Sequence, residues 1–144
     1  MLHRTLPSLA LMAALLAVGA CTSPGGSAAA RNPDPAHNSR NAVDWAGRYE
    51  GVLPCADCPG IRTRLVLTAD GRYELSTQYI DRQAAPVLRS GRFEWNEAGN
   101  TITLATPGER GPQFRVGEGR LLQLNADGSA PPWSDAHRVL TKTP

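Results

Sequence analysis

Residues 61–80 read IRTRLVLTADGRYELSTQYI, and this stretch decides the fold. In its first half Ile61, Leu65 and Leu67 fall on one face while Arg62, Arg64 and Thr68 fall on the other, which also contains Val66, and in its second half Tyr73 and Leu75 alternate with polar side chains. The Asp-Gly pair at residues 70–71 is a strong signal for a hairpin turn. Because neighbouring side chains of a strand point to opposite faces, the stretch predicts an antiparallel hairpin buried on one face.

The same alternation continues on both sides of this hairpin. It predicts about eight short strands and no helix after residue 43, which indicates an all-β domain built as a small antiparallel barrel or sandwich. The strands are predicted at Gly47–Leu53, Ile61–Ala69, Arg72–Ile80, Val87–Trp95, Thr101–Thr106, Gln113–Val116, Arg120–Leu124 and Ala136–Thr141. The predicted core consists of Trp45, Tyr49, Leu53, Leu65, Leu67, Tyr73, Leu75, Phe93, Trp95, Ile102, Leu104, Phe114, Val116, Leu122, Leu124 and Val139.

The N-terminus has the pattern of an export signal. Leu9–Val18 is an uninterrupted apolar run, too short for an ordinary membrane-spanning helix of roughly 20 residues. The sequence Val18-Gly19-Ala20-Cys21 then resembles the lipobox of bacterial lipoproteins. We expect residues 1–20 to be a lipoprotein signal peptide and Cys21 to carry the lipid that anchors the chain to a membrane. An ordinary signal peptide followed by a chance cysteine is the alternative.

Composition separates an anchor region from a folded domain. Residues 21–44 are rich in Ser, Ala, Gly, Asn and Pro, which favours a flexible tether behind the lipidated cysteine. Residues 45–144 then form the predicted β-barrel domain. The chain has 15 basic and 13 acidic residues, a net charge of +2, and the basic residues are dispersed, so no nucleic-acid partner is expected.

The segment Cys55-Ala56-Asp57-Cys58 contains the candidate site residues, and three interpretations of it remain open. A thioredoxin-like catalyst needs its first cysteine at a helix N-terminus, and Pro59-Gly60 disfavours a helix there. Two thiolates of Cys55 and Cys58 could hold copper(I), alone or with His137, although a closed zinc site needs more ligands than one cysteine pair. A disulfide that staples the loop is the third interpretation, in keeping with an oxidising compartment.

The residues around the cysteine pair are similar to a known family. Residues 47–65, GRYEGVLPCADCPGIRTRL, resemble the signature of the NlpE family of outer-membrane lipoproteins, and residues 70–75, 91–95 and 114–118 add weaker matches. The resemblance implies a lipocalin-like β-barrel tethered to the outer membrane. It also implies a part in envelope stress sensing or copper tolerance, an envelope sensor protein as partner, and Cys55 and Cys58 as the family's cysteine pair.

Two features bear on how far the resemblance extends. Full-length members have a second, C-terminal domain, whereas this sequence ends at Pro144, so we expect only the N-terminal barrel here. Thr22 after the lipid cysteine, rather than aspartate, favours sorting to the outer membrane, where the domain would face the periplasm. No hydrolase constellation stands out, and we expect no enzymatic activity. A lipocalin-like carrier of a small hydrophobic ligand is the alternative function.

Overall fold

The structure, a computed structural model, describes residues 37–131 and 135–144. One helical turn precedes the strands, and a 3-10 turn precedes the last of them. In chain order the elements are α1 (Ser39–Ala42), β1 (Gly47–Leu53), β2 (Ile61–Leu67), β3 (Arg72–Tyr79), β4 (Val87–Trp95), β5 (Thr101–Leu104), β6 (Gln113–Gly117), β7 (Arg120–Gln123), a 3-10 turn (Asp135–His137) and β8 (Val139–Thr143). The all-β prediction with about eight short strands is confirmed.

The eight strands form a closed barrel in which each strand pairs antiparallel with the next and β8 pairs with β1. In the hairpin of residues 61–80, Leu65 lies opposite Leu75 and Leu67 lies opposite Tyr73. Its turn is held by the Thr68 hydroxyl, which donates to the Asp70 carboxylate and lowers the pKa of that carboxyl. Of the barrel and the sandwich that the strand pattern left open, the structure selects the barrel.

The interior of the barrel is one apolar cluster to which every strand contributes. Of the predicted core residues, Trp45, Trp95 and Val139 are only partly buried, and Leu122 and Leu124 are buried outside the cluster. On β7 and β8 the cluster contains Leu121 and Leu140 instead, which face each other across the two strands. The prediction therefore holds for the burial of Leu122 and Leu124 but missed Leu121 and Leu140, which lie on the opposite face of their strands from Leu122 and Val139.

The segment before β1 covers one end of the barrel, which we call the capped end. The backbone N–H of Arg40 donates to Gly99 O in the β4–β5 turn over 2.9 Å, and the Ser39 hydroxyl donates to Val116 O over 2.8 Å. Trp45 stacks edge-on against Phe93 with ring centroids 5.7 Å apart. A helical turn at Ser39–Ala42 therefore lies inside the stretch for which the sequence favoured a flexible tether.

The segment is fixed at two further points. The Tyr49 hydroxyl donates to Trp45 O over 2.7 Å, and the Lys142 ammonium lies 2.8 Å from the Asp44 carboxylate. Burial, with smaller contributions from Asp44 and Glu118, raises the pKa of Tyr49 to about 12. Within the described ranges, no helix has the length and apolar character needed to cross a bilayer.

Candidate functional site

The cysteine pair lies in the loop between β1 and β2, at the end of the barrel opposite the capped end, which we call the mouth. Leu53 and Ile61 form the last β1–β2 pair, so residues 54–60 make the whole connection. Gly60 is buried where the loop enters β2, and its carbonyl accepts from the N–H of Ile80. A Cβ on Gly60 would lie 2.4 Å from Val52 Cγ1, so only glycine lets the loop approach β1 this closely.

Cys55 and Cys58 are joined by a disulfide, with their Cα atoms 5.3 Å apart. Of the three interpretations of the pair, the structure shows the disulfide. The helix that a thioredoxin-like site needs does not follow the second cysteine, because the chain enters β2 at Ile61. Both cysteines are half-buried, so the bond is within reach of solvent.

Arg82, from the β3–β4 loop, fixes the disulfide loop from outside. Its guanidinium lies 3.1 Å from the Asp57 carboxylate and donates to the Asp57 carbonyl over 2.6 Å. Both side chains are more than half exposed, so the ion pair alone contributes little to stability. The second bond, to the backbone, orients the loop because it holds the main chain between the two cysteines.

The same loop contains the one group of metal-ligating side chains found in the described part of the chain. One ligand atom each from Cys55, Asp57 and Cys58 lie within 4.8 Å of one another. The two sulfur atoms are bonded to each other, so a thiolate site for copper(I) requires that the disulfide first be reduced. His137 lines a shallow surface depression together with Pro54 and Pro59, but it does not belong to the group of three.

A cavity of about 280 Å³ opens at the mouth. Apolar side chains of the core, among them Leu53, Leu75 and Phe114, form its walls together with threonine and glutamine side chains, and Arg89 is the one charged side chain among the described residues that line it. The cavity follows from the fold, because β5 ends at Leu104 and leaves the barrel wall lower on that side. It has room for a small apolar group but not for the large ligands of wide barrels.

Comparison with known proteins identifies the fold and the family together. The family model described as the NlpE N-terminal domain matches residues 49–132, which extend from the third residue of β1 past the end of β7 and include the disulfide loop. The chain belongs to the NlpE family. Among curated proteins it is 28% identical over 81 residues to lipoprotein NlpE of Escherichia coli (strain K12), and 37% identical over 49 residues to a 17 kDa lipoprotein of Treponema pallidum (strain Nichols).

Two crystal structures share the barrel of this NlpE-family chain. One, described as a lipoprotein of Shewanella oneidensis, is 40% identical with a TM-score of 0.67, covering 73% of this chain and 94% of that one. The other, the Cpx pathway activator NlpE from Escherichia coli, has a TM-score of 0.53 at 24% identity and covers 62% of this chain and 46% of that one. The chain matches only 34% and 31% of the length of the two curated relatives.

The predicted signal peptide, Cys21 and most of the predicted tether lie outside the described residues. Of the site residues predicted within the described ranges, Cys55 and Cys58 are brought together. Sequence reasoning missed Arg82, and no sequence signal could have found it, because its partner Asp57 is 25 residues away along the chain and the two meet only through the barrel register.

Proposed function

We propose that this chain is a lipid-anchored envelope protein that acts in stress signalling by contact with another envelope protein and catalyses no reaction. Membership of the NlpE family supports the proposal, as does the description of the Escherichia coli relative as a Cpx pathway activator. The observation that carries most weight is that the family match includes the disulfide loop, which the barrel presents at its mouth.

The signalling role is tested by deleting the gene and measuring an envelope-stress reporter during overproduction of a misrouted lipoprotein. We expect a weaker reporter response in the deletion strain, restored by the full chain supplied in trans. An unchanged response in the deletion strain would reject the role.

We propose that the anchor is a lipid on Cys21 and that the protein resides in the outer membrane with its barrel facing the periplasm. The lipobox and Thr22 support this, as do the lipoprotein names of the relatives. Cys21→Ala is expected to release the protein into the soluble envelope fraction, whereas Cys55→Ala should stay with the membrane. Recovery of the wild-type protein in the inner-membrane or soluble fraction would contradict the assignment.

A role in copper tolerance is carried by the three ligating side chains of the loop. An added phosphine supplies the two electrons that cleave the Cys55–Cys58 S–S bond, two protons are taken up to give two thiols, and the thiols release these protons when they bind copper(I) as thiolates. Copper(I) titration of the phosphine-reduced full chain should show one equivalent bound, and the double variant Cys55→Ser with Cys58→Ser should bind none. Equal binding by both proteins would place the metal elsewhere.

The cavity at the mouth favours a second function, the transport of a small hydrophobic ligand. Native mass spectrometry of the protein purified from envelopes would show a constant added mass if the cavity carries a ligand. A mass equal to that of the lipidated chain alone would argue against a carrier.

A further inference from the structure

The wall of the barrel is incomplete beside the mouth, where β4 is longer than its neighbour β5. The two strands pair only through Phe93, Glu94 and Trp95 on β4. The chain turns away after β5 at Ala105, whose N–H donates to Arg92 O over 2.8 Å. Within the described ranges, residues 87–90 of β4 therefore have β3 on one side and no strand on the other.

The register shows which backbone groups face this gap. Arg92 O points toward β5, whereas Phe93 N points toward the β3 side, where it donates to Gly71 O. By alternation the N–H and C=O groups of Leu88 and Ser90 face the gap. Nothing in the described residues hydrogen-bonds them, and Leu88 is 75% exposed. This stretch is thus a free strand edge with an uncovered apolar side chain, the feature to which other chains add strands.

The side chains of this edge that point inward meet the mouth cavity. Val87 and Arg89 lie opposite Thr77 and Leu75 of β3, and all four line the cavity. Among the described residues no carboxylate lines the cavity, and none pairs with the Arg89 guanidinium. A strand laid along β4 would therefore place alternate side chains over a cavity lined by apolar and uncharged polar side chains and by the positive charge of Arg89.

We propose that residues 87–90 are a docking site for an extended, acidic segment of a partner protein, which adds to β4 as a strand. Its backbone pairs with Leu88 and Ser90, and a glutamate or aspartate of the segment faces Arg89. That position is a non-hydrogen-bonded pair, in which cross-strand side chains approach most closely. An apolar residue of the segment covers Leu88. The inference deepens the proposed signalling role, on which its biological meaning rests.

Charge selects this occupant over a second copy of the chain. The antiparallel register that pairs Leu88 with Ser90 of a second copy sets the two Arg89 side chains opposite each other. Like charges in directly opposed positions destabilise a strand pair. An inward-pointing charge is also a common protection of free edges against self-association. Arg89 therefore discourages self-pairing and favours an acidic strand.

The test is a titration of the full-length chain in detergent, followed by the NMR shifts of its backbone amides. The probe is a capped peptide, Thr-Thr-Val-Glu-Val-Thr-Thr, beside a twin with lysine in place of glutamate. We expect saturable shifts at Leu88 and Ser90, with the glutamate peptide binding about fivefold more tightly, as for a solvent-exposed ion pair near the upper end of its range. Arg89→Glu should reverse the preference between the two peptides, and Arg48→Glu, the same change on β1, should leave it intact.

Leu88→Pro examines the backbone pairing itself. Because Leu88 N–H faces the gap, proline removes the docking donor without removing a hydrogen bond to β3. We expect at least tenfold weaker binding than with Leu88→Thr, which keeps the N–H. If Leu88→Pro does not fold, the reversal by Arg89→Glu still decides.

The docking site would be overturned if neither peptide gave saturable amide shifts, or if wild type and Arg89→Glu preferred the same peptide. It would also be overturned if the amide shifts of Leu88 and Ser90 depended on protein concentration without peptide, because that result would assign the edge to a second copy. The stress reporter separates this inference from the proposed function. If the peptide does not bind but deletion of the gene weakens the reporter response, the docking site is wrong and the signalling role stands. If the peptide binds but deletion of the gene leaves the reporter response unchanged, the docking site stands and the signalling role is wrong.

Discussion

Removal of the loop disulfide by the double substitution Cys55→Ser with Cys58→Ser should destabilise the barrel only slightly. The bond joins residues with a sequence separation of 3. Closing so short a ring in the unfolded chain lowers its entropy by about 6 cal/mol/K, which corresponds to about 2 kcal/mol of stability at room temperature. The pairing of β1 with β2 and the bonds from Arg82 to Asp57 do not require the disulfide. We therefore expect a folded barrel that is less stable by about 2 kcal/mol.

Urea denaturation followed by tryptophan fluorescence measures this loss of unfolding free energy. The midpoint should fall and the slope should stay the same, because the surface exposed on unfolding barely changes. Ala56→Ser is the control, since it adds a hydroxyl at an exposed position of the same loop. A loss above about 4 kcal/mol would mean that the bond holds the barrel together, and a loss within about 0.5 kcal/mol of zero would mean that it is not a staple.

Three further predictions concern other parts of the barrel. A Cβ on Gly111 would lie 1.8 Å from Leu104 O, so Gly111→Ala should lower the unfolding free energy by about 3 kcal/mol in urea denaturation. Gly117→Ala is the control, because a Cβ on Gly117 would lie 3.4 Å from the nearest atom, Arg120 Cγ, and it should lower the unfolding free energy by less than about 1 kcal/mol. Because the pKa of Tyr49 is raised to about 12, its stabilising contribution should be complete below the phenol's usual pKa of about 10 and should be lost as the pH rises through 12. Tyr49→Phe should remove this loss of stability at alkaline pH. The lowered pKa of Asp70 predicts a contribution that is present at neutral pH and lost in acid as the pH falls through that pKa, so Asp70→Asn should be less stable at pH 7 and equal to wild type in strong acid.

The sequence predicted the strands well where alternation was strict. In residues 61–80 most apolar side chains fall on one face and most polar side chains on the other, so the pattern shows which face is buried. On β7 and β8 the pairs Leu121-Leu122 and Val139-Leu140 put apolar side chains on both faces. The local sequence pattern does not determine which of the two faces points into the barrel. The choice comes from closure of the barrel, which places Leu121 against Leu140.

The candidate site was predictable in its chemistry but not in its surroundings. The spacing of Cys55 and Cys58 and the helix-breaking Pro59-Gly60 favour a disulfide loop between strands. The bond from Arg82 to the loop and the unpaired edge of β4 depend on how distant strands end at the mouth. Both depend on the lengths of the strands and on where they end in the barrel. The alternation of polar and apolar residues along the chain does not determine these lengths.

The proposed signalling role is tested most directly by the output of an envelope-stress reporter as production of the full chain is raised stepwise in the deletion strain. We expect the reporter output to rise with the amount of membrane-bound protein. We expect a smaller rise for Cys21→Ala at equal protein levels, because that variant lacks the proposed lipid anchor. A flat reporter response to wild-type protein that fractionates with the membrane would contradict the signalling role.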